Sequence, residues 1–328
     1  MTMKTKMFIC LGALLGVAAA VQQVGWPVAK VTVRVIGEQG EPIPGAKVKI
    51  GFREKLSDRD ERAVGETDAR GEFTAEGYSD RRLLSGAGKE GYYDSSSPST
   101  IFKDVALGKW QPWNPVEELV LRPIGKPVAM AAKRVQEDIP MLDQPCGYDL
   151  GKGDWVAPHG KGVYSDLTFT VRRDYKDRSS FTTEAKVTFA QLLDGFLRMK
   201  APSYARNSAF RWERFSPETG YVSPHQISFI SRELPTHVDR KKSFEDRSKE
   251  FEQGFFFRVR TVEENGRIIA ANYGKIAGDI GIDPRDSKTC LITFTYYFNP
   301  TSLDRNTEWD PQRNLLQGLH REQTPTAP

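Results

Sequence analysis

Val31-Thr-Val-Arg-Val-Ile36, Pro42-Ile-Pro44-Gly45-Ala46-Lys-Val48-Lys-Ile50 and Thr67-Asp68-Ala-Arg-Gly71-Glu-Phe73 lie within one stretch, Val31 to Tyr93, whose reading decides the fold. Val31, Val33 and Val35 alternate with Thr32 and Arg34, and Val48 and Ile50 alternate with Lys47 and Lys49. A period of two is the pattern of a strand with one face in the core. Gly37-Glu-Gln-Gly40 and the Pro/Gly run after it turn the chain between these strands. From Thr67 to Gly71 the chain turns again: Asp68 can hydrogen-bond its own backbone and Gly71 can take φ > 0. Phe73 then enters the core, and Lys89-Glu-Gly-Tyr-Tyr93 closes the stretch. Short strands separated by turn signals predict an all-β sandwich.

The same residues carry a resemblance. Gly40-x-Pro42-x-Pro44-Gly45-Ala46-x-Val48, Thr67-Asp68-x-x-Gly71-x-Phe73 and Gly91-Tyr92 are similar to the carboxypeptidase regulatory-like domain family, a transthyretin-like (prealbumin-like, Ig-like) sandwich. The resemblance covers residues 28–124. It implies an appended, non-catalytic module. The zinc peptidase domain that such a module can accompany has no counterpart here: none of His159, His225, His237 and His320 begins a His-x-x-Glu.

Downstream, Pro123, Pro127, Pro140 and Pro145 mark residues 125–147 as a Pro-rich linker with room for a short helix from Val128 to Glu137. A second all-β domain, an antiparallel sandwich of no assigned family, is expected over 148–316. Its strands are Leu167–Val171, Phe255–Thr261, Gly266–Ala271 and Leu291–Phe298, with an Asn265-Gly266 hairpin turn. Val187 to Met199 reads as strand, turn, strand. The polar tail, 317–328, is expected to be disordered.

With 328 residues, 38% hydrophobic and 27% charged, the chain has the length of two domains and the means to build cores. Its net charge is +4. Arg172-Arg173 and Arg240-Lys241-Lys242 are diluted by Asp174, Asp177, Asp239 and Glu245. There is no concentrated basic face, and nucleic acid is excluded as a partner. Residues 1–20 read as a cleaved signal peptide: Lys4 and Lys6, an apolar run from Met7 to Val17 too short to span a bilayer, then Ala18-Ala19-Ala20. Cys10 would leave with it. The expected location is secreted or periplasmic, with no later transmembrane segment.

Nucleophile elbows, phosphate loops and zinc-helix motifs are absent, and no cofactor is expected. Asp149, Asp154, Asp166, Glu213 and Glu218 could supply a glycosidase-like acid pair, though nothing singles out two of them. Trp110 and Trp113, beside Tyr92 and Tyr93, could form a platform for a glycan or a protein partner; the alternative is that they close one end of the sandwich. Cys146 and Cys290 remain as an even pair in an exported chain and are expected as a disulfide. Asp304-Arg-Asn306-Thr-Glu308-Trp-Asp310 offers oxygen donors at every second position, the pattern of a weak calcium site. The alternative is an extended segment with Trp309 packed inward. Two functions follow: a non-catalytic binding or structural protein engaging a surface polymer or protein partner, or a carbohydrate-active enzyme with its site in the second domain. Two facing carboxylates in a cleft would favour the enzyme.

Overall fold

The computed structural model describes residues 26–53, 60–99, 101–177, 180–230, 253–284, 286 and 288–328. The leader with Cys10, and Arg240-Lys241-Lys242, lie outside the described residues. The protein is all-β: among the described residues, apart from a 3-10 turn at Ser203–Ala205, the regular elements are strands.

The first half holds β1 (Val28–Ile36), β2 (Lys47–Arg53), β3 (Asp60–Glu66), β4 (Glu72–Tyr78), β5 (Leu83–Gly88), β6 (Tyr92–Tyr93), β7 (Ser95–Ser99), β8 (Asp104–Ala106), β9 (Lys109–Gln111), β10 (Val116–Val120) and β11 (Arg122–Pro123). In one sheet β1 pairs antiparallel with β4 and parallel with β10 and β9. The other has the order β3-β2-β5-β7. The alternating residues Val31, Val33 and Val35 meet Val48, Ile50, Phe52, Leu119 and Leu121 between the sheets. The Pro/Gly turn and the Thr67 turn are stapled together. The Thr67 hydroxyl donates to Ile43 O and accepts from Ala46 N, while Asp68 Oδ1 accepts from Arg70 N and Glu72 N. Gly71 has φ +74°, and a Cβ there would lie 2.5 Å from Val35 O; the turn requires glycine twice over. Ser95–Ser99, whose serines and proline suggest a loop, pairs as a strand with β5.

The second half holds β12 (Val128–Asp138), β13 (Pro145–Asp149), β14 (Asp154–Trp155), β15 (Leu167–Asp177), β16 (Ser180–Thr188), β17 (Gly195–Lys200), β18 (His225–Ile230), β19 (Gln253–Glu264), β20 (Arg267–Asp283), β21 (Leu291–Asn299) and β22 (Trp309–Asn314). A six-stranded sheet, β17-β19-β20-β21-β12-β22, packs on a five-stranded one, β14-β13-β15-β16-β18. Val135, Tyr148, Phe169, Val171, Phe257, Ile276, Phe294 and Tyr296 share their core. Asn265 and Gly266 both have positive φ in the β19–β20 turn.

Four expectations are corrected. Residues 125–147 are not a linker, and Val128–Glu137 is not a helix: β12 runs antiparallel to β21 from Ala131 to Asp138 and parallel to β22. Met130, Ala131, Ala132 and Val135 are buried there, so the sheet's need for a strand overrides the helical preference of an Ala-rich run. The tail 317–328 is ordered against β12 and β21: Gln323 O accepts from Arg134 N and Ala327 O from the Tyr297 hydroxyl. Cys146 and Cys290 are free, buried thiols rather than a disulfide. Cys146 belongs to β13 of one sheet and Cys290 leads into β21 of the other. The Cys146 thiol is turned to the Met141 and Gln144 carbonyls, at 3.6 and 3.7 Å, and not to Cys290. Burial pushes both thiols up, which leaves them unreactive.

Candidate binding site

The four aromatic residues read as a platform are divided among separate contacts. Trp110 stacks near Phe102, with ring centroids 6.1 Å apart, and its indole N–H donates to Ser79 O. Tyr92 packs on the first core. Tyr93 donates to Glu308 Oε1 at 2.7 Å and lies 5.2 Å from the Phe210 ring. Trp113 has the ammonium groups of Lys109 and Lys30 over its ring, at 4.7 and 5.9 Å.

The acidic run 304–310 is spent on internal bonds. Asp304 accepts from Asn306 N and Asn299 Nδ2, Asn306 bonds Glu308 N and Lys126 O, and Asp310 pairs with Arg313. Trp309 is buried on the other face. Glu308, 1% exposed, is the hub of the contact between the halves: its carboxylate takes Tyr93 OH, Gly125 N, Lys126 N and Arg214 Nη1. Burial pushes it up, but Tyr93, Gly125 and Arg214 together outweigh that and hold it below the usual range. Beside it Arg122, 2% exposed, pairs with Glu38 and donates to Phe210 O and Trp212 O.

Two of the five candidate carboxylates do converge. Asp149 and Asp166 meet on Arg260: Asp166 takes Nε and Nη2 as a fork, each at 2.8 Å, and Asp149 takes Nη2 at 3.0 Å. Asp154 instead accepts from Trp155 N and Lys161 N. Glu218 pairs with Arg305 at the surface. Glu213 offers its carbonyl to Thr307; none of these three reaches Arg260. Asp149 also accepts from Gly151 N, Lys152 N, Val163 N and Tyr164 N. Burial raises it, yet these donors and Arg260 hold it below its ordinary value. At Asp166 burial wins and the carboxyl is raised, against Arg260 and Leu150 N.

Arg260 sits at φ +57° where the β19–β20 pairing shifts register. Asp194 caps this bulge, accepting from Arg260 N at 3.1 Å and Thr261 N at 3.0 Å. Burial raises Asp194 despite these bonds. The loop bearing Asp194 is anchored by Arg258, whose guanidinium donates to Leu193 O and Glu218 O. The Arg260 guanidinium lies 4.3 Å from the Tyr164 ring centroid and 4.8 Å from that of Phe298, and Tyr164 is 57% exposed. A cleft of about 360 Å³ opens here, bordered by Tyr164, Asp166, Gln191, Asp194, Arg260 and Thr261 among others. Among the described residues no group of three or more His, Cys, Asp or Glu is arranged to hold a metal ion.

Sequence reasoning missed Arg260, Asp194, Thr261 and Tyr164. One signal was available: Phe255-Phe-Phe-Arg-Val-Arg-Thr261 sets two arginines in a strand of core aromatics, and buried cations demand partners.

The chain matches no family model and no curated protein. Among solved structures it is similar to 3-chlorocatechol 1,2-dioxygenase from Rhodococcus opacus 1CP, at 11% identity over 30% of this chain and 61% of that one, with a TM-score of 0.25. A DUF3823 family protein from Parabacteroides merdae ATCC 43184 matches at 9% identity over 85% of this chain and all of that one, with a TM-score of 0.23. A candidate carbohydrate-binding protein from Bacteroides uniformis ATCC 8492 matches at 9% identity over 85% and 99%, with a TM-score of 0.19. The chain thus spans about three fifths of the dioxygenase it matches. Function is read from the residues themselves.

Proposed function

We propose that the chain is an exported, non-catalytic protein that binds carbohydrate of a surface polymer through the cleft at Arg260. Its first sandwich acts as a module of the carboxypeptidase regulatory-like kind, and the leader at 1–20 directs export to the periplasm or beyond. The observation that carries this reading is the state of the acids. An acid–base pair needs carboxyl oxygens free to give and take protons from a substrate. In the cleft Asp166 is forked by Arg260 and Asp194 is spent on the two N–H groups of the bulge. What the cleft offers outward is an exposed tyrosine ring with polar groups beside it, the form of a small-molecule binding site.

The test is a glycan and polysaccharide binding screen on the full-length chain, with product release followed in the same wells. Binding without turnover is expected. Tyr164→Ala should weaken binding about tenfold or more, ~1.4 kcal/mol. Turnover of any bound glycan would remove the reading.

A further inference from the structure

What a ligand meets in the cleft is set by which of its wall residues are exposed. Asp166, Asp194 and Thr261 border it but are buried. The two aspartates are engaged by the Arg260 guanidinium and by the N–H groups of the bulge. The exposed walls are Tyr164, Ala190, Gln191 and Val262, the last at 48%. Arg260 adds the edge of its guanidinium. It spends Nε and Nη2 on its aspartates and makes no bond through Nη1 among the described residues, and its side chain is 27% exposed.

Three of the four exposed walls are thus apolar and one is a carboxamide. A group pressed on Ala190 and Val262 is favoured if it buries apolar surface. A hydroxyl pressed there gives up its water without a bond in return. A bare hexose carries hydroxyls around its rim: a ring face suits Tyr164, but nothing suits the aliphatic wall. An acetamido substituent supplies what the bare ring lacks. Its methyl covers Ala190 and Val262, its carbonyl accepts from a guanidinium N–H, and its amide N–H meets the carboxamide oxygen of Gln191. An ammonium in its place offers donors only, as Arg260 itself does. A carboxylate in its place accepts but leaves the aliphatic wall bare. At about 360 Å³ the cleft is at the small end of ligand sites, roughly 300–1,000 Å³, the scale of a single substituted sugar unit.

We infer that the cleft is a subsite for an N-acetylated sugar unit, its ring against Tyr164, its acetyl methyl on Ala190 and Val262, and its amide between Gln191 and Arg260. This rests on the carbohydrate-binding reading above and names its ligand class.

The experiment is saturation-transfer NMR on the full-length chain with N-acetylglucosamine, N-acetylgalactosamine, glucosamine, glucuronate and glucose, run beside the polysaccharide screen above. The N-acetylated sugars should bind about fivefold more tightly than the others, with the strongest saturation at the acetyl methyl. Val262→Thr keeps the shape of the side chain and sets a hydroxyl on the aliphatic wall; Gln191→Ala removes the carboxamide. Each should weaken N-acetyl sugar binding about fivefold with the melting temperature unchanged, because both side chains stand at the surface. Equal or tighter binding of glucose, glucosamine or glucuronate would overturn the ligand class and leave carbohydrate binding standing. N-acetyl sugar binding indifferent to both substitutions would place the sugar elsewhere and overturn the subsite. So would a polysaccharide retained in the screen while none of the five sugars binds. No binding in either measurement would sink the underlying reading itself.

Discussion

Lys275, on β20, is fully buried, and its Nζ has no hydrogen-bond partner among the described residues. It lies 4.8 Å from the ring centroids of Phe210 and Tyr297. Burial pushes its ammonium down to about 7, against the raising field of Glu308 and with the lowering field of Arg122. In the unfolded chain the same group titrates at about 10.4. Between these values the unfolded state holds the extra proton, so stability rises with pH from about 7 to about 10; below 7 the burial penalty is present in full. Replacing Lys275 by methionine should stabilise the protein by about 1–4 kcal/mol at pH 7. It should also flatten the rise of stability between pH 7 and 10 seen in the parent. Urea unfolding of both proteins across that range checks this; parallel curves would mean that Lys275 stays charged in the fold.

At the scale of the element, the β19 bulge turns a core strand into one wall of a cleft. A strand of Phe255, Phe256, Phe257 and Val259 is held by burial, and a regular continuation would keep residue 260 in the ladder. The register shift instead frees two N–H groups, which Asp194 collects. Asp194→Ala leaves both donors without this acceptor, and each unsatisfied buried group costs about 1–3 kcal/mol. The variant should lose at least ~1 kcal/mol of stability, measured by chemical denaturation, and bind sugar more weakly than its folded fraction explains. Full stability in Asp194→Ala would show that the bulge does not depend on its cap.

For the whole molecule, the two sandwiches have separate cores and one polar seam. The first core draws on residues from Ala29 to Leu121 and on nothing beyond. Residues 26–124 are therefore expected to fold alone, with a β-rich circular dichroism spectrum and a cooperative melt; an unfolded fragment would show that the second half is needed to complete it. The seam is Glu308 with Tyr93, Gly125, Lys126 and Arg214, beside Arg122 with the 210–212 carbonyls. Glu308→Ala takes from Arg214 its nearest carboxylate, leaving Glu38 at 3.8 Å, and leaves the Gly125 and Lys126 N–H groups and the Tyr93 hydroxyl without this acceptor. Breaking a buried pair from one side costs roughly 3–5 kcal/mol. The expected result is destabilisation of that order by urea unfolding, with faster proteolytic cleavage between residues 122 and 128; unchanged proteolysis would mean that the seam does not hold the halves together.

What the sequence determined by itself is local. Alternation over Val31–Ile36 and Ala46–Ile50, the Asp68-to-Gly71 turn and Asn265-Gly266 each record a constraint satisfied within a few residues, and each is found in the structure. Trp309 facing inward was legible for the same reason: in an extended segment one face must be buried. Tertiary structure decided whatever depended on partners far along the chain. Val128–Asp138 is a strand because β21, about 160 residues away, lies beside it, and prolines near its ends are no obstacle to that pairing. The two cysteines stay unpaired because the fold turns the Cys146 thiol to the Met141 and Gln144 carbonyls. Arg260 gathers Asp149, Asp166 and Asp194 from three other segments of the chain. A carboxylate's role is set by which donors reach it in space, and that distance is not written in the order of the chain.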